Sequence, residues 1–461
     1  MPFETTLSVT DAGVEPGELL AVPFGPDLSA EVELPLPVDA VLRHYDAKGE
    51  PDEVVEVPVA RGDEVGRVLL YGVGDRSVSA LRRAGASLAS RAKGHVSITV
   101  VPPADADLAA LAEGALLAAY GFTLGETKTR PVKEIVFAGG DRAAIARGET
   151  VARAVGQARD LINTPSSVKT PAWLADQAAA TGMVTRVWAG AELEPFGGIR
   201  AVGQGSPSDP RLVQLSYEPE SYERHVVLVG KGITFDTGGL SLKPTDGMKH
   251  MKTDMAGAAA VIAVLAALPA FHVPVRVTGL LPCAENAFSG EAQRPSDVIT
   301  QYGGRTVEVI NTDAEGRLVV ADALAYADEQ LDPDVMVDVA TLTGAAKIAL
   351  GLRYGALYAT DDRLAEDLLA AGESGGDPLW RMPLIDDYLS DLESDIADLT
   401  NVDKKMSGAA GSISGALFLR EFTGGRPWAH LDIAGTVRGK DGMATGFGVR
   451  LLLDWLRALE A

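Results

Sequence analysis

From His225 to Gly344 the chain alternates between short β-branched runs and helix-length apolar stretches, and this alternation leaves few folds open. HVVLVGKG (225–232) is a short apolar run of the kind found in strands buried on both faces. TDMAGAAAVIAVLAAL (253–268) reads as a helix, VPVRVTGLLPCAEN (273–286) and TVEVI (306–310) as strands, GRLVVADALAYADE (316–329) as a helix and DVMVDVATLTG (334–344) as a strand. That order implies βαβ crossovers and a mainly parallel sheet covered on both faces. Working groups in such sheets gather at the carboxyl ends of the strands, where KGITFD, NTDAEGR and TLTG fall.

The first 150 residues read as a separate α/β unit. EVVEVPVA (53–60), GRVLLYGVG (66–74), HVSITVVPP (95–103) and KEIVFAGG (133–140) are strand-like, with the helical ADLAALAEGALLAAYGF (106–122) between them. A long helical stretch, DRAAIARGETVARAVGQARDLINTP (141–165), comes next and stops at Pro165. The expected division is 1–150 and 151–461, and 461 residues is too long for one ordinary core. No internal repeat or low-complexity tract is evident, and DKKMSGAAGSISG (403–415) is the most loop-like part of the second half.

The formal charge of −23 argues against nonspecific attraction to nucleic acid or anionic membranes. A single cysteine, Cys283, excludes an intrachain disulfide. The N-terminal MPFETTLSVTDAGVEPGELL carries acids where a secretory signal needs positive charge. AGAAAVIAVLAALPAF (256–271) approaches membrane-span composition, but its length and Pro269 favour a buried helix, so a cytoplasmic protein is expected.

In NTDAEGRL (311–318), Asp313, Glu315 and Arg317 occupy alternate positions and would share one face if the segment were extended. Carboxylates that close need a shared proton or a cation; the alternative is a solvated surface turn. VGKGITFDTGGLSLKPTDGMKHMKTDMAG (229–257) adds Asp236 in a glycine-bracketed turn, Lys243 beyond it, and Asp254 at a helix start, where Thr253 or Asp254 could equally serve as caps. GKG suggests a phosphate loop, but G-x-x-x-x-G-K-[ST] is absent. Four acids thus come from three strand ends. The six histidines form no H-x-x-x-H pair, so any metal site is built from oxygen ligands, perhaps with an amine, suiting Mg, Mn or Zn.

NTDAEGRL, VGKGITFDTGG, KTDMAGAAAV and WAHLDIAG resemble the signature segments of the leucyl (cytosol) aminopeptidase family. RDLINTPSSVKTP (159–171), ENAFSGEAQRPSDV (285–298), ATLTGA (340–345) and ADLTNVDKKMSGAAGSISGALFLREF (397–422) fit it in the same order. The resemblance covers about 155–455 and implies a macro-like N-terminal α/β domain, serving in assembly, before a larger catalytic α/β domain with a mixed, mainly parallel sheet flanked by helices. It further implies two divalent metal ions, Mn or Zn in the first place, Mg or Co otherwise. Asp236 and Glu315 would bridge them, Lys231 and Asp254 complete the tighter site, and Asp313 the exchangeable one. Without that context, Lys231 reads as an ordinary salt bridge to Asp236.

The same resemblance implies a metal-activated bridging water that attacks the first peptide bond of substrates with a free N-terminus, leucine and other apolar residues preferred. Lys243 would stabilise the developing oxyanion, and Arg317 would hold a bicarbonate acting as general base, its alternative being a salt bridge to Asp313. Met251, Thr341 and Gly344 would line the side-chain pocket, Met251 being alternatively plain core. Thr237 stands where many relatives have serine, which keeps the hydroxyl. A homohexamer is expected. The competing readings are a non-catalytic DNA-binding regulator, against which the charge speaks, and a two-metal phosphoesterase.

Overall fold

In the computed structural model, residues 3–11, 19–30, 32, 34, 36–61, 64–125, 130–404 and 409–459 are described. Parts of the N-terminal stretch (1–2 and 12–18) and of the loop-like segment (405–408) lie outside them. The remainder of that segment is not all loop, since helix Gly411–Arg420 begins within it. The chain divides into compact units Met1–Gly156 and Gln157–Ala461. The division therefore falls at 156 rather than 150, inside helix Arg142–Asn163, because a continuous helix offers no composition change to mark a boundary.

The first unit holds a six-stranded sheet in the order Thr6–Thr10, Glu134–Ala138, Ser97–Val100, Leu19–Phe24, Glu64–Gly72, Val54–Arg61. All neighbours are parallel except the last pair, a hairpin. Helices Val78–Arg91 and Leu108–Ala119 join one hydrophobic core with this sheet.

In the second unit the path runs Leu379–Arg381, Gly355–Ala359, Trp428–Asp432, Val335–Ala340, His225–Gly230, Arg276–Asn286, Arg211–Tyr217, Val184–Ala189, with Gly232–Asp236 also pairing Arg276–Asn286. The four central strands from Trp428–Asp432 to Arg276–Asn286 are mutually parallel. Antiparallel partners flank them on both sides, giving the mixed sheet. The edge strand Val184–Ala189 is largely exposed and lacks the apolar run that marks the centre.

Helix Ala256–Phe271 is apolar on all sides and buried in this unit, as a helix without a polar face must be. Pro269 lies within its last turn rather than ending it. Its first turn lies against backbone: a Cβ at Gly257 would come 1.9 Å from the carbonyl oxygen of Val339 and 2.8 Å from the Lys231 nitrogen. Gly257→Ala must push the helix off the sheet and is expected to destabilise the protein by about 1–3 kcal/mol. Chemical denaturation measures this; an unchanged midpoint would mean that the helix shifts freely.

Candidate metal centre

Two connections, from His225–Gly230 to Arg276–Asn286 and from Arg276–Asn286 to Val335–Ala340, carry the acids at the carboxyl end of the central strands. His225–Gly230 ends at Lys231, whose backbone nitrogen donates to Val339 O at 3.0 Å, locking the lysine between two parallel strands. Its side chain is buried, with Nζ 2.8 Å from Glu315 Oε1, 2.9 Å from Asp254 and 3.1 Å from the carbonyl of Thr341. The ion pair is therefore with Asp254 and Glu315 rather than with Asp236. A methyl group at Gly316 would come 2.6 Å from Lys231 Nζ, so glycine at that position leaves the lysine its room.

Asp236 closes strand Gly232–Asp236. Its Oδ1 accepts from Gly238 N and Asn286 Nδ2, both at 2.8 Å, and its Oδ2 faces Lys243 Nζ at 2.7 Å. Lys243 also contacts Asp313 Oδ1. Asp254 follows the 3₁₀ turn Met251–Thr253 and accepts from Thr341 Oγ1 at 2.7 Å. No side chain caps helix Ala256–Phe271, so the capping alternative for Thr253 and Asp254 does not hold.

The extended reading of NTDAEGRL fails. Strand Thr306–Glu308 ends early, Asn311 Oδ1 accepts from Asp313 N at 2.9 Å to close a turn, and Glu315 immediately precedes helix Gly316–Tyr326. Asp313 and Glu315 nonetheless reach one place: ligand atoms of Asp236, Asp313 and Glu315 lie within 4.8 Å of one another. Arg317 sits in the first turn of that helix, buried, and donates to Asn401 O at 2.7 Å; it makes no salt bridge to Asp313. Thr341 is at the centre, Met251 is half-buried on the turn before Asp254, and Gly344 is exposed, a Cβ there meeting nothing within 4 Å.

The electrostatics favour added positive charge. Burial, and then repulsion from Glu315, lift Asp236 to about 7 despite Lys243 and Lys231. Burial likewise raises Asp254 and Asp313. Burial opposes the charged form of Glu315 too, but Lys231 and Lys243 outweigh it and lower its pKa. Both lysines are held as ammonium ions, burial being overcome for Lys231 by Asp254 and Glu315, and for Lys243 by Asp236 and Glu315. Burial and mutual repulsion thus work against ionising all four acids at once beside the two lysines, a cost that added cations would relieve. Among the described residues, Asp254 Oδ2 and Asp313 Oδ1 are met only by the ammonium groups of Lys231 and Lys243 respectively. This donor set of hard oxygens and one buried amine fits divalent cations.

Polar residues that the sequence did not single out hold the acids and their loops in place. Asn286 donates to both Asp236 and the Thr312 carbonyl, and Thr312 Oγ1 bridges Gly238 O and Ser241 N, joining the two acid-bearing loops. Asn401 accepts from Ile310 N and Asn311 N and donates to Asn311 O, clamping NTDAEGR from 90 residues away. Asp432 accepts from Leu342 N and Thr343 N and Oγ1, fixing the turn after Thr341.

Comparison with known proteins agrees with this geometry. Residues 156–453 match the model of the cytosol aminopeptidase family, catalytic domain, and residues 36–129 that of its N-terminal domain, where no motif was legible. The chain is 46% identical over 418 residues to the "Probable cytosol aminopeptidase" of Leifsonia xyli subsp. xyli, covering 85% of this chain and 83% of that one. It is 42% identical over 472 residues to the protein of that name from Micrococcus luteus, covering 94% and 91%. Among solved structures, the bottromycin maturation enzyme BotP in complex with Mn superposes with a TM-score of 0.86 at 38% identity, over 96% of this chain and 99% of that one. An acidic centre on a parallel sheet, two matching domain models and near-full-length relatives place this chain in the cytosol aminopeptidase family.

Proposed function

We propose that this chain is a metal-dependent leucyl aminopeptidase that removes N-terminal residues, leucine and other apolar ones preferentially, from peptides with a free N-terminus. The observation that carries this reading is the cluster of buried Asp236, Asp254 and Glu315 and half-buried Asp313 around Lys231 and Lys243 at the ends of parallel strands. Asp236 and Glu315 would bridge two divalent ions, Asp254 and Lys231, the latter as a neutral amine once the two cations disfavour its ammonium form, would complete one site, and Asp313 the other. Manganese is favoured by the Mn held in BotP, with Zn next and Mg or Co as alternatives. When bound, such a pair acidifies a bridging water and polarises the peptide carbonyl.

The chain's own groups do the rest. Lys243, kept charged by its carboxylate neighbours, supplies a cation for the oxyanion. Arg317 is drawn down to about 10 by burial, with Glu315 and Asp432 opposing, and stays a guanidinium at neutral pH. Its Nε has no partner among the described residues, which leaves a donor for a small anion such as bicarbonate, the proposed general base. Met251, Thr341 and Gly344 would border the apolar pocket. Such a pocket separates side chains differing by one methylene by only about 1–3 kcal/mol, so broad apolar specificity follows. The working form is proposed to be a cytoplasmic homohexamer.

The test is hydrolysis of leucine p-nitroanilide by chelator-stripped protein with Mn, Zn, Mg or Co restored, and N-acetyl-leucine p-nitroanilide as control. Activity is expected to return with metal and to vanish on acetylation. Hydrolysis of p-nitrophenyl phosphate without amide cleavage would instead establish a phosphoesterase.

A further inference from the structure

We propose that Lys169 is a positioning residue for the metal centre: its buried ammonium ties the end of helix Arg142–Asn163 to the turn that carries Met251 and Asp254. Lys169 is only 1% exposed; the other lysine at such depth among the described residues, Lys231, stands among carboxylates. The hydrogen-bond acceptors of Lys169 are instead backbone carbonyls: Leu161 O at 3.1 Å and Ile162 O at 3.0 Å from the last turn of the helix, and Lys252 O at 2.6 Å from the 3₁₀ turn Met251–Thr253.

The carbonyls of a helix's last turn are unpaired within the helix and carry its negative dipole end. Two lysines share that end. Lys252 Nζ donates to Asn163 O at 2.7 Å, so the 3₁₀ turn is joined to the helix twice, once through its backbone and once through its side chain. The segment holding Lys169 is itself fixed. Val168 N and Lys169 N both donate to Pro165 O, Ser166 Oγ reaches Thr234 O at 3.4 Å, and Thr170 caps the next helix, Pro171–Ala179, by accepting from Trp173 N. Burial, and then the charge of Lys252, draw Lys169 down to about 7; the three carbonyls within hydrogen-bond distance of Nζ accept from its ammonium form. An ammonium kept in such a place against desolvation needs a structural return. The geometry identifies it as the position of the turn ending at Asp254, two residues after Lys252.

The inference rests on the reading of Asp254 as a metal ligand. Partners that orient a ligand are worth roughly 10–100-fold in metal affinity. Lys169→Met, which keeps the chain length and loses the three hydrogen bonds, is expected to weaken Mn binding about tenfold by titration calorimetry. It should also compress the ratio of kcat/KM for leucine over alanine p-nitroanilide several-fold, because Met251 moves with the turn. A role in folding alone would lower the melting temperature and leave both quantities as in the wild type; that result overturns the proposal. If Lys169→Met does not fold, Lys252→Met severs the second tie while sparing Lys169, and unchanged Mn affinity and selectivity there overturn it as well. Wild-type protein run alongside separates the two readings. If the wild type neither binds Mn nor cleaves leucine p-nitroanilide, the metallopeptidase assignment fails; if it does both and the variants match it, only the role of Lys169 fails.

Discussion

Glu315→Gln is expected to remove metal binding and peptide hydrolysis together, each by more than the roughly 100-fold lost when only an outer partner of a ligand is changed. Glu315 is the acid that meets both halves of the centre. It contacts Lys231 at 2.8 Å, and its ligand atom lies within 4.8 Å of those of Asp236 and Asp313. Gln has the same shape but none of the charge and far less ligand basicity, so the packing around Gly316 and Lys231 stays filled. The fold should persist because Asp254 continues to partner Lys231. The measurement is paired: Mn affinity by calorimetry and leucine p-nitroanilide hydrolysis, on protein whose circular dichroism matches wild type. A variant that still binds two equivalents of Mn and turns over normally would remove Glu315 from the centre. A variant that binds Mn normally but has lost activity would move it from ligand to reacting group.

The sheet and its acids are legible in the sequence for a reason that does not extend to the rest. Strands buried on both faces are nearly continuous apolar runs, so HVVLVG, VRVTGLLP and VMVDVA declare themselves, and the topology rule then places the loop after each strand at one edge of the sheet. The outer antiparallel strands, such as Val184–Ala189, are half solvated and leave no such mark. The sequence gathers Asp313, Glu315 and Arg317 at one place but does so as an extended row, which the structure corrects. The Asn311–Asp313 turn and the helix beginning at Gly316 break the row, and N-x-D is a turn signal present in the sequence. Asn286 and Asn401 have no such signal. Their side chains act across 50 and 90 residues on backbone and carboxylate groups, and a neutral amide has no local pattern that tells a clamp from a surface residue. Lys169 is hidden for the same reason, because a lysine in SSVKTP reads as exposed until the helix end is seen beside it.

Lys243→Met is expected to retain Mn and lose about 10²- to 10³-fold in kcat, the loss typical of removing one group that stabilises an oxyanion. The structure makes this a discriminating experiment, because Lys243 also pairs with Asp236 and Asp313, two of the proposed ligands. If its task were only to hold those carboxylates, its loss would loosen the site and metal affinity would fall. If its task is to meet negative charge developing on the substrate, affinity should hold or rise, since an ammonium beside a divalent cation repels it. Methionine keeps the length and apolar bulk of the side chain, so packing in the Gly238–Lys243 loop is preserved, and the backbone nitrogen at position 243 still donates to Thr237 O. Burial alone would favour a neutral amine here, yet the carboxylates of Asp236 and Glu315 hold it charged. Calorimetric Mn affinity read beside kcat decides the matter. Weaker Mn binding with unchanged turnover at saturating metal would assign Lys243 to the ligands, and full activity with full affinity would deny it either role.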